Sequence, residues 1–403
     1  MKNLILFIVV LFFVSCDKEE LVNTDFDCRD NFKICELTHD NNDFGFSLFN
    51  AVNNNSKGEN IFISPFSISA ALAMTLNGAR DETNVEMTET LKYSGWNKDS
   101  LNTAFRDLLQ LLPDLDKKVK INNANSIWYR TGFEVLPDFL DVNKNFFNAE
   151  VRDKDFSNPN SVIEINKWIE DKTEGKIIDV LKTLDHQTVM LLINAIYFKA
   201  QWKNEFDKKE TKIEKFYLEN GNQINVSMMH SSKMKLPFYQ SSKFSMIDLP
   251  YSDSVYTMSI LLPNINHGVD EIINDLNIVN WENIQDKMFN TEIDVAIPKF
   301  KLEYKTSLKS ILPNLGMKLA FIHGVADFSG INSLKNLYID DVIHQSFVEV
   351  DEAGTEAAAA TVVIISNTSV GNEFYANRPF VFLIRDNKTK SILFIGKMMN
   401  PQI

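Results

Sequence analysis

The chain has 403 residues, 44% of them hydrophobic and 24% charged, and a net charge of −13. That length supports one large core, and an acidic balance without a basic stripe excludes nucleic acid and heparin-like polyanions as partners. Glycine is only 14 of 403, too few for generous phosphate-cradling loops, and no HExxH, GxSxG, CxxC, Walker A or GxGxxG pattern occurs. No enzyme activity and no cofactor are expected.

Residues 1–15 carry Lys2 and an apolar run from Leu4 to Val14. The run is too short to span a bilayer and reads as a signal-peptide core. Ser15-Cys16 resembles the cleavage site of bacterial lipoproteins, in which the cysteine is acylated, although Phe13 departs from the usual Leu. Lys18-Glu19-Glu20 resembles the surface-export signal of Bacteroidetes lipoproteins. The expectation is an outer-membrane lipoprotein exposed at the surface, held to the membrane by lipid alone, or otherwise a secreted protein. Residues 16–41 then form a lipidated tether. Cys28 and Cys35 lie in it; outside the cytoplasm such a pair suggests a disulfide, and two free thiols are the alternative.

From Asn42 to Val52 apolar residues recur at helical spacing. Ser64-Pro65 marks a strand ending and a capped helix beginning, running to Leu76. Leu101–Leu112 and Val162–Lys172 read as amphipathic helices, and Ile121–Tyr129 as a strand. Val189–Trp202 is nearly all apolar, as a strand buried on both faces should be, so Asn194 within it needs partners. Strands are also expected at Tyr256–Leu262 and over Glu292–Tyr304. No Pro/Gly/Ser-rich linker divides the chain, and 42–403 is read as one domain.

The segment Glu352–Pro379 makes opposed demands. Gly354-Thr355 opens it; Glu356 and the helix-favouring Ala357, Ala358, Ala359 and Ala360 follow; then Thr361-Val362-Val363-Ile364-Ile365 favours strand. An uncharged β-prone run without Pro is a hazard if left exposed, but makes sense if the segment is meant to become a strand. The run Glu352, Gly354, Thr355, Glu356, Ala357–Ala360, Thr361 resembles the hinge of inhibitory serpins. Asn377–Ile384 and Gly396–Pro401 resemble that family's closing signature, and the resemblance extends from about residue 42 to the end.

The resemblance implies an α+β serpin fold with three β-sheets, eight or nine helices and an exposed reactive-centre loop. It places Lys299 and Trp202 beside the hinge, with Lys299 paired to Glu352 at the top of the central sheet's opening. Ser64, Ser67, Asn194 and His344 lie beneath that opening, where Asn194 and His344 form a latch. Without the resemblance His344 reads as a lone, satisfied core histidine. The family's mechanism is a one-shot trap: a protease forms an acyl-enzyme with the loop, and the cut hinge side inserts as a new central strand. Thr355 to Ser366 would span about 40 Å when extended.

Counting from the hinge and back from Pro379 puts the cut at Thr368-Ser369, with Ser366-Asn367 and Asn367-Thr368 as neighbouring choices. No Lys or Arg lies between Glu356 and Arg378, so a trypsin-type pocket finds nothing to bind. Elastase-like or subtilisin-like serine proteases are the expected partners of a monomer, with papain-like cysteine proteases as the alternative. The competing function is a non-inhibitory surface carrier or chaperone-like protein. Bulky or charged inward residues at the hinge would favour it; Thr355, Ala357, Ala359, Thr361, Val363 and Ile365 are instead small, then apolar.

Overall fold

The computed structural model describes residues 26–184, 188–355 and 372–402. Outside the described residues lie the signal segment, Cys16, the hinge residues Glu356 to Thr361 and the tip residues Ser366, Asn367, Thr368 and Ser369.

The first third is mainly helical: α1 (Phe32–Asn55), β1 (Ile61–Ile63), α2 (Pro65–Leu76), α3 (Asp81–Thr90), α4 (Lys98–Leu111), β2 (Lys120–Arg130) and α5 (Pro137–Phe147). Next come β3 (Glu150–Lys154), α6 (Pro159–Lys172), β4 (Met190–Gln201), β5 (Lys212–Tyr217), β6 (Gln223–Gln240), β7 (Phe244–Pro250) and β8 (Tyr256–Pro263). The rest is α7 (Val269–Asp275), α8 (Ile278–Asp286), β9 (Phe289–Pro298), β10 (Phe300–Ser307), α9 (Ile311–Asn314), β11 (Ile343–Val350) and β12 (Gly354–Thr355). Past the undescribed residues, β13 (Asn372–Tyr375), β14 (Phe380–Asp386) and β15 (Ile392–Met398) close the chain.

Local chemistry sets the helix starts. The Ser64 hydroxyl accepts from the Ser67 N–H with Pro65 in the first turn, and Asn97, Asn158 and Asn277 cap α4, α6 and α8 with their side chains.

Two sheets rather than three appear among the described residues. One has six strands in the order β10-β11-β12-β4-β2-β3, the other nine, β1-β15-β14-β8-β7-β6-β9-β13 with β5 on β6. The 18-residue β6 explains the count. It carries an irregularity between Ser231 and Met234 and belongs to both lobes of the larger sheet, joining what would otherwise be two. Between the sheets Phe62 stacks on Phe382 and Phe394. A Cβ on Gly396 would meet the Phe382 ring at 2.6 Å and the Ile61 carbonyl at 2.8 Å. On the other face of the six-stranded sheet, α6 seals a second cluster of Trp128, Phe156, Ile165, Ile169 and Ile177.

The expected tether is shorter than 16–41. Helix α1 begins at Phe32, and Ile34 and Leu37 are already in the core. The polar residues that masked this helix in the sequence are buried with partners. Thr38 donates to the Ile34 carbonyl; Asn42 donates to the Lys390 carbonyl and accepts from the Ile392 N–H. Cys28 and Cys35 are bridged, tying the start of α1 beside the β14–β15 turn, where Cys28 Sγ lies 4.0 Å from the Lys388 carbonyl. A second correction concerns β4: Met190 to Asn194 are half-buried, Ala195 to Phe198 and Ala200 are buried, and Lys199 and Gln201 are exposed. The reason is the missing neighbour on one edge, described below.

Closing this short loop removes unfolded-state entropy worth about 2–3 kcal/mol. The double substitution Cys28→Ser, Cys35→Ser should therefore lower the thermal midpoint of the intact protein. An unchanged midpoint would mean that the bridge adds nothing.

Candidate functional site: an unfilled opening in the six-stranded sheet

The wedge β12 is two residues long. Gly354 pairs with Gln201 and Thr355 with Ala200 on β4, while Val350 of β11 pairs with Thr355. Below that point, among the described residues, β4 from Lys199 to Met190 pairs only with β2, and β11 from Glu349 to Ile343 only with β10. Among the described residues these two parallel-running edges thus have no ladder partner on the sides that face each other, a state that sheets ordinarily avoid, although in places their Cα atoms lie within 8 Å. Extending the register of β12 down β4 from Lys199 to Met190 gives ten further positions.

The mouth of the slot is held by residues from four segments. Gly354 sits at φ +154, and a Cβ there would meet the Ala200 carbonyl at 2.2 Å, so only glycine lets the chain turn in between β11 and β4. Glu352 is buried and accepts from Lys299 Nζ at 2.7 Å and from Thr211 Oγ1 at 2.8 Å, while its carbonyl accepts from the Phe206 N–H. Burial pushes the Glu352 carboxyl up, but the Lys299 ammonium, a backbone bond and Thr211 outweigh it and hold the group below its usual range. Trp202 donates Nε1–H to the Asp351 carbonyl and its backbone N–H to the Ala353 carbonyl. Its ring stacks on Tyr251 at 4.4 Å, and the Tyr251 and Thr355 hydroxyls are 2.6 Å apart.

Beneath the slot the structure departs from the expected latch. Asn194 turns to β2, donating to Asn123 Oδ1 at 2.8 Å and to Asn125. His344 Nε2 accepts instead from the Ser64 N–H at 3.1 Å, and the Ser64 hydroxyl donates to the Leu393 carbonyl. The two residues stand on opposite banks of the slot, β4 and β11, so each bonds to its own side. Among the described residues three buried atoms here lack a protein partner, Asn194 Oδ1, Asn123 Nδ2 and Ser67 Oγ, while Gln345 Oε1 lacks one on the opposite face of the sheet, where its Nε2 donates to Glu303.

Of the expected residues, Lys299, Trp202, Glu352, Gly354 and Thr355 converge at the mouth, and Ser64, Ser67 and His344 gather below. Sequence reading missed Tyr251 and Thr211 as parts of the mouth. Their partners Thr355 and Glu352 lie 104 and 141 residues away, and no local pattern marks either.

A family model described as Serpin (serine protease inhibitor) matches residues 39–401. The chain belongs to the serpin family. It is 38% identical over 369 residues to an uncharacterized serpin-like protein of Thermococcus kodakarensis, covering 90% of this chain and 85% of that one. It is also 38% identical over 373 residues to the leukocyte elastase inhibitor of Xenopus laevis, covering 89% and 97%. Among solved structures, the thermophilic serpin tengpin in its native state superposes with a TM-score of 0.83 at 32% identity, covering 91% of this chain and 94% of that one. Human thyroxine-binding globulin complexed with thyroxine also gives 0.83, at 29% identity, covering 92% and 100%. The serpin fold is thus found in a protein named as an elastase inhibitor and in one named for binding thyroxine.

Burial lowers the His344 pKa to about 4 from its ordinary 6.5. Above pH 6.5 neither the folded nor the unfolded chain is protonated there. As pH falls from 6.5 towards 4 the unfolded chain takes up the proton first, so native stability should fall by up to about 3 kcal/mol. His344→Gln should flatten that slope in a stability series against pH. A variant with the same slope would exclude His344 as its source.

Proposed function

We propose that this serpin inhibits an extracellular serine protease as a suicide substrate, by inserting its cleaved loop into the slot between β4 and β11. The observation that carries the reading is the two-residue wedge itself. With Thr355 opposite Ala200, the same register would set residue 356 opposite Lys199 and residue 365 opposite Met190. The inward-facing series would then be Thr355, Ala357, Ala359, Thr361, Val363 and Ile365, small side chains first and apolar ones last. Ten added residues carry the cut end about 33 Å, and the acylated protease with it.

The preferred bond is Thr368-Ser369, with Ser366-Asn367 and Asn367-Thr368 as neighbours. The small, β-branched Thr368 and the absence of Lys or Arg from 356 to 377 suit an elastase-like or subtilisin-like enzyme. The leukocyte elastase inhibitor relative agrees with that class. A papain-like cysteine protease is the other target class. The acidic body acts as a monomer, held on the outer membrane's surface by lipid on Cys16.

Thr355→Arg tests the trap. A guanidinium at this buried wedge position would be desolvated without a partner. The variant should be cut at the same bond at a similar rate, yet release active protease and form no SDS-stable complex. Cleaved wild type should melt well above the intact protein. Stoichiometric trapping by Thr355→Arg, or no gain in melting temperature on cleavage, would mean that loop insertion is not how this protein works.

Cys16→Ala tests the anchor. The variant should appear in the aqueous phase or fail to mature, and detergent partitioning like wild type would place the anchor elsewhere.

A further inference from the structure

The loop and the N-terminal lead leave the body at opposite ends. The slot's mouth lies at the Val350 end of β11 and its far end at Ile343, with Met190 at the matching end of β4. Three contacts carry that direction across to the other sheet. Near the mouth, the ring of Phe300, which pairs with Val350, lies 6.1 Å from that of Phe380, the first residue of β14. Lower down, the Ser346 hydroxyl donates to the Phe62 carbonyl, level with Gly396 and Phe382. Lower again, Ser64 bridges His344 to the Leu393 carbonyl. β14 therefore descends beside β11. The turn joining it to β15 stands at the slot's far end, one sheet spacing of about 10 Å behind it.

Helix α1 brings the N-terminal lead to this same end. Asn42 bonds to the Lys390 carbonyl and the Ile392 N–H, while Asn53, further along the helix, accepts from Lys397 Nζ. The helix thus climbs alongside β15 from the turn towards the mouth, and its first residue, Phe32, lies about 15 Å below Asn42. The residues before it fold back onto the body. Phe26 packs on the core, and Cys28 is bridged to Cys35 with its sulfur 4.0 Å from the Lys388 carbonyl. The exit is pinned there, so whatever precedes Phe26 starts from the end remote from the loop.

We infer that this clipped exit turns an anchored molecule with its loop away from the membrane, so that trapping delivers the protease into the gap between body and membrane. The inference rests on the lipid anchor and the insertion mechanism proposed above. The gap is bounded by the lead. From Cys16 to Cys28 the chain has twelve Cα steps, which reach at most about 43 Å. A protease of about 230 residues is roughly 45 Å across. The two lengths are close, so the length of the lead, rather than its sequence, limits how well a translocated enzyme fits beneath the body. An exit beside the mouth would do the reverse, holding the loop against the membrane and sending the trapped protease outward.

The first test reads orientation without any protease. Purified lipidated protein is bound to preformed phosphatidylcholine vesicles that carry an acceptor dye on their headgroups. A donor dye is placed on Lys209→Cys, exposed beside the mouth between Phe206 and Thr211, which both bond to Glu352, or on Asp340→Cys, exposed just before β11 at the far end. Energy transfer should be stronger from position 340 than from position 209. Equal or reversed transfer would overturn the inference.

The second test reads the gap. Deleting residues 21–25 keeps Cys16 and Lys18-Glu19-Glu20 and cuts the reach to about 25 Å. On vesicles, this variant should be cleaved as before yet spend several-fold more molecules for each protease trapped. Five Gly/Ser residues in place of the deleted ones should restore wild-type trapping. With Cys16→Ala as well, the same deletion should trap like wild type in solution. Unchanged trapping by the anchored deletion, or an equal loss in the soluble form, would overturn the gap. Failure of soluble wild type to trap would remove the delivery step together with the trap, while the dye pair still decides the orientation. Failure to hold to vesicles would remove the anchor and this inference together, leaving the trap to be judged in solution.

Discussion

The wedge of Gly354 and Thr355 between β4 and β11 is the constraint on which the rest of the architecture turns. Three residue pairs are made, and among the described residues the next ten positions along β4 have no partner on this side. The facing backbone groups of both banks likewise have no sheet partner among the described residues, although a buried core lies beside them. The chain supplies specific means to stop the banks at this point. Gly354 fits beneath the Ala200 carbonyl where no Cβ would, and Lys299 with Thr211 fixes Glu352 two residues before it. Trp202 and Tyr251 stack beneath, closing the mouth around Thr355.

The slot's underside has the same character. Among the described residues Asn194 Oδ1, Asn123 Nδ2 and Ser67 Oγ are buried there without a protein partner, and such groups are uncommon in a native interior. Each such group raises the free energy of the open form relative to one in which it is bonded. The half-buried Met190 to Asn194 add apolar surface that a new strand would cover. Open banks, orphaned polar atoms and uncovered apolar side chains all act in one direction. In the trap reading they are the store of free energy that cleavage releases.

Much of this was legible in the sequence, and the omissions have physical causes. The hinge was readable because its composition is contradictory: alanines beside a β-branched run make sense only for a segment awaiting a strand's place. Lys299, Trp202 and Glu352 could be placed by resemblance. Tyr251 and Thr211 could not, because their roles come from contacts across the fold. The early start of α1 was hidden by Thr38, Asn41 and Asn42, polar residues that are nonetheless buried: Thr38 bonds back to the Ile34 carbonyl, while Asn41 accepts from Tyr93 and Asn42 bonds to the Lys390 and Ile392 backbone. Asn194 and His344 were read as partners from the family pattern. The open slot separates their strands, so each bonds locally. The merged nine-stranded sheet follows from the length of β6, whose alternation carries no mark of where one lobe ends.

The preformed wedge also changes where a barrier to insertion can lie. Starting a strand between two others would require ordering several residues before any ladder bond compensated the lost entropy. Here that step is already complete, since Thr355 is paired on both sides. Each later residue would add to an existing end, with its neighbours already aligned. A molecule so primed cannot rely on a costly first step to remain open. In the trap reading, restraint then falls to what lies across the opening. The α6 side supplies one such element: Lys305 of β10 donates to the Val180 carbonyl, and Asn166 of α6 holds Leu181 through two bonds. The return segment after α6 is thereby fastened to β10, on the far side of the slot from β4. In the trap reading a new strand would have to pass beneath that fastening, so polar contacts local to this segment, as well as the ladder itself, bear on how the sheet opens.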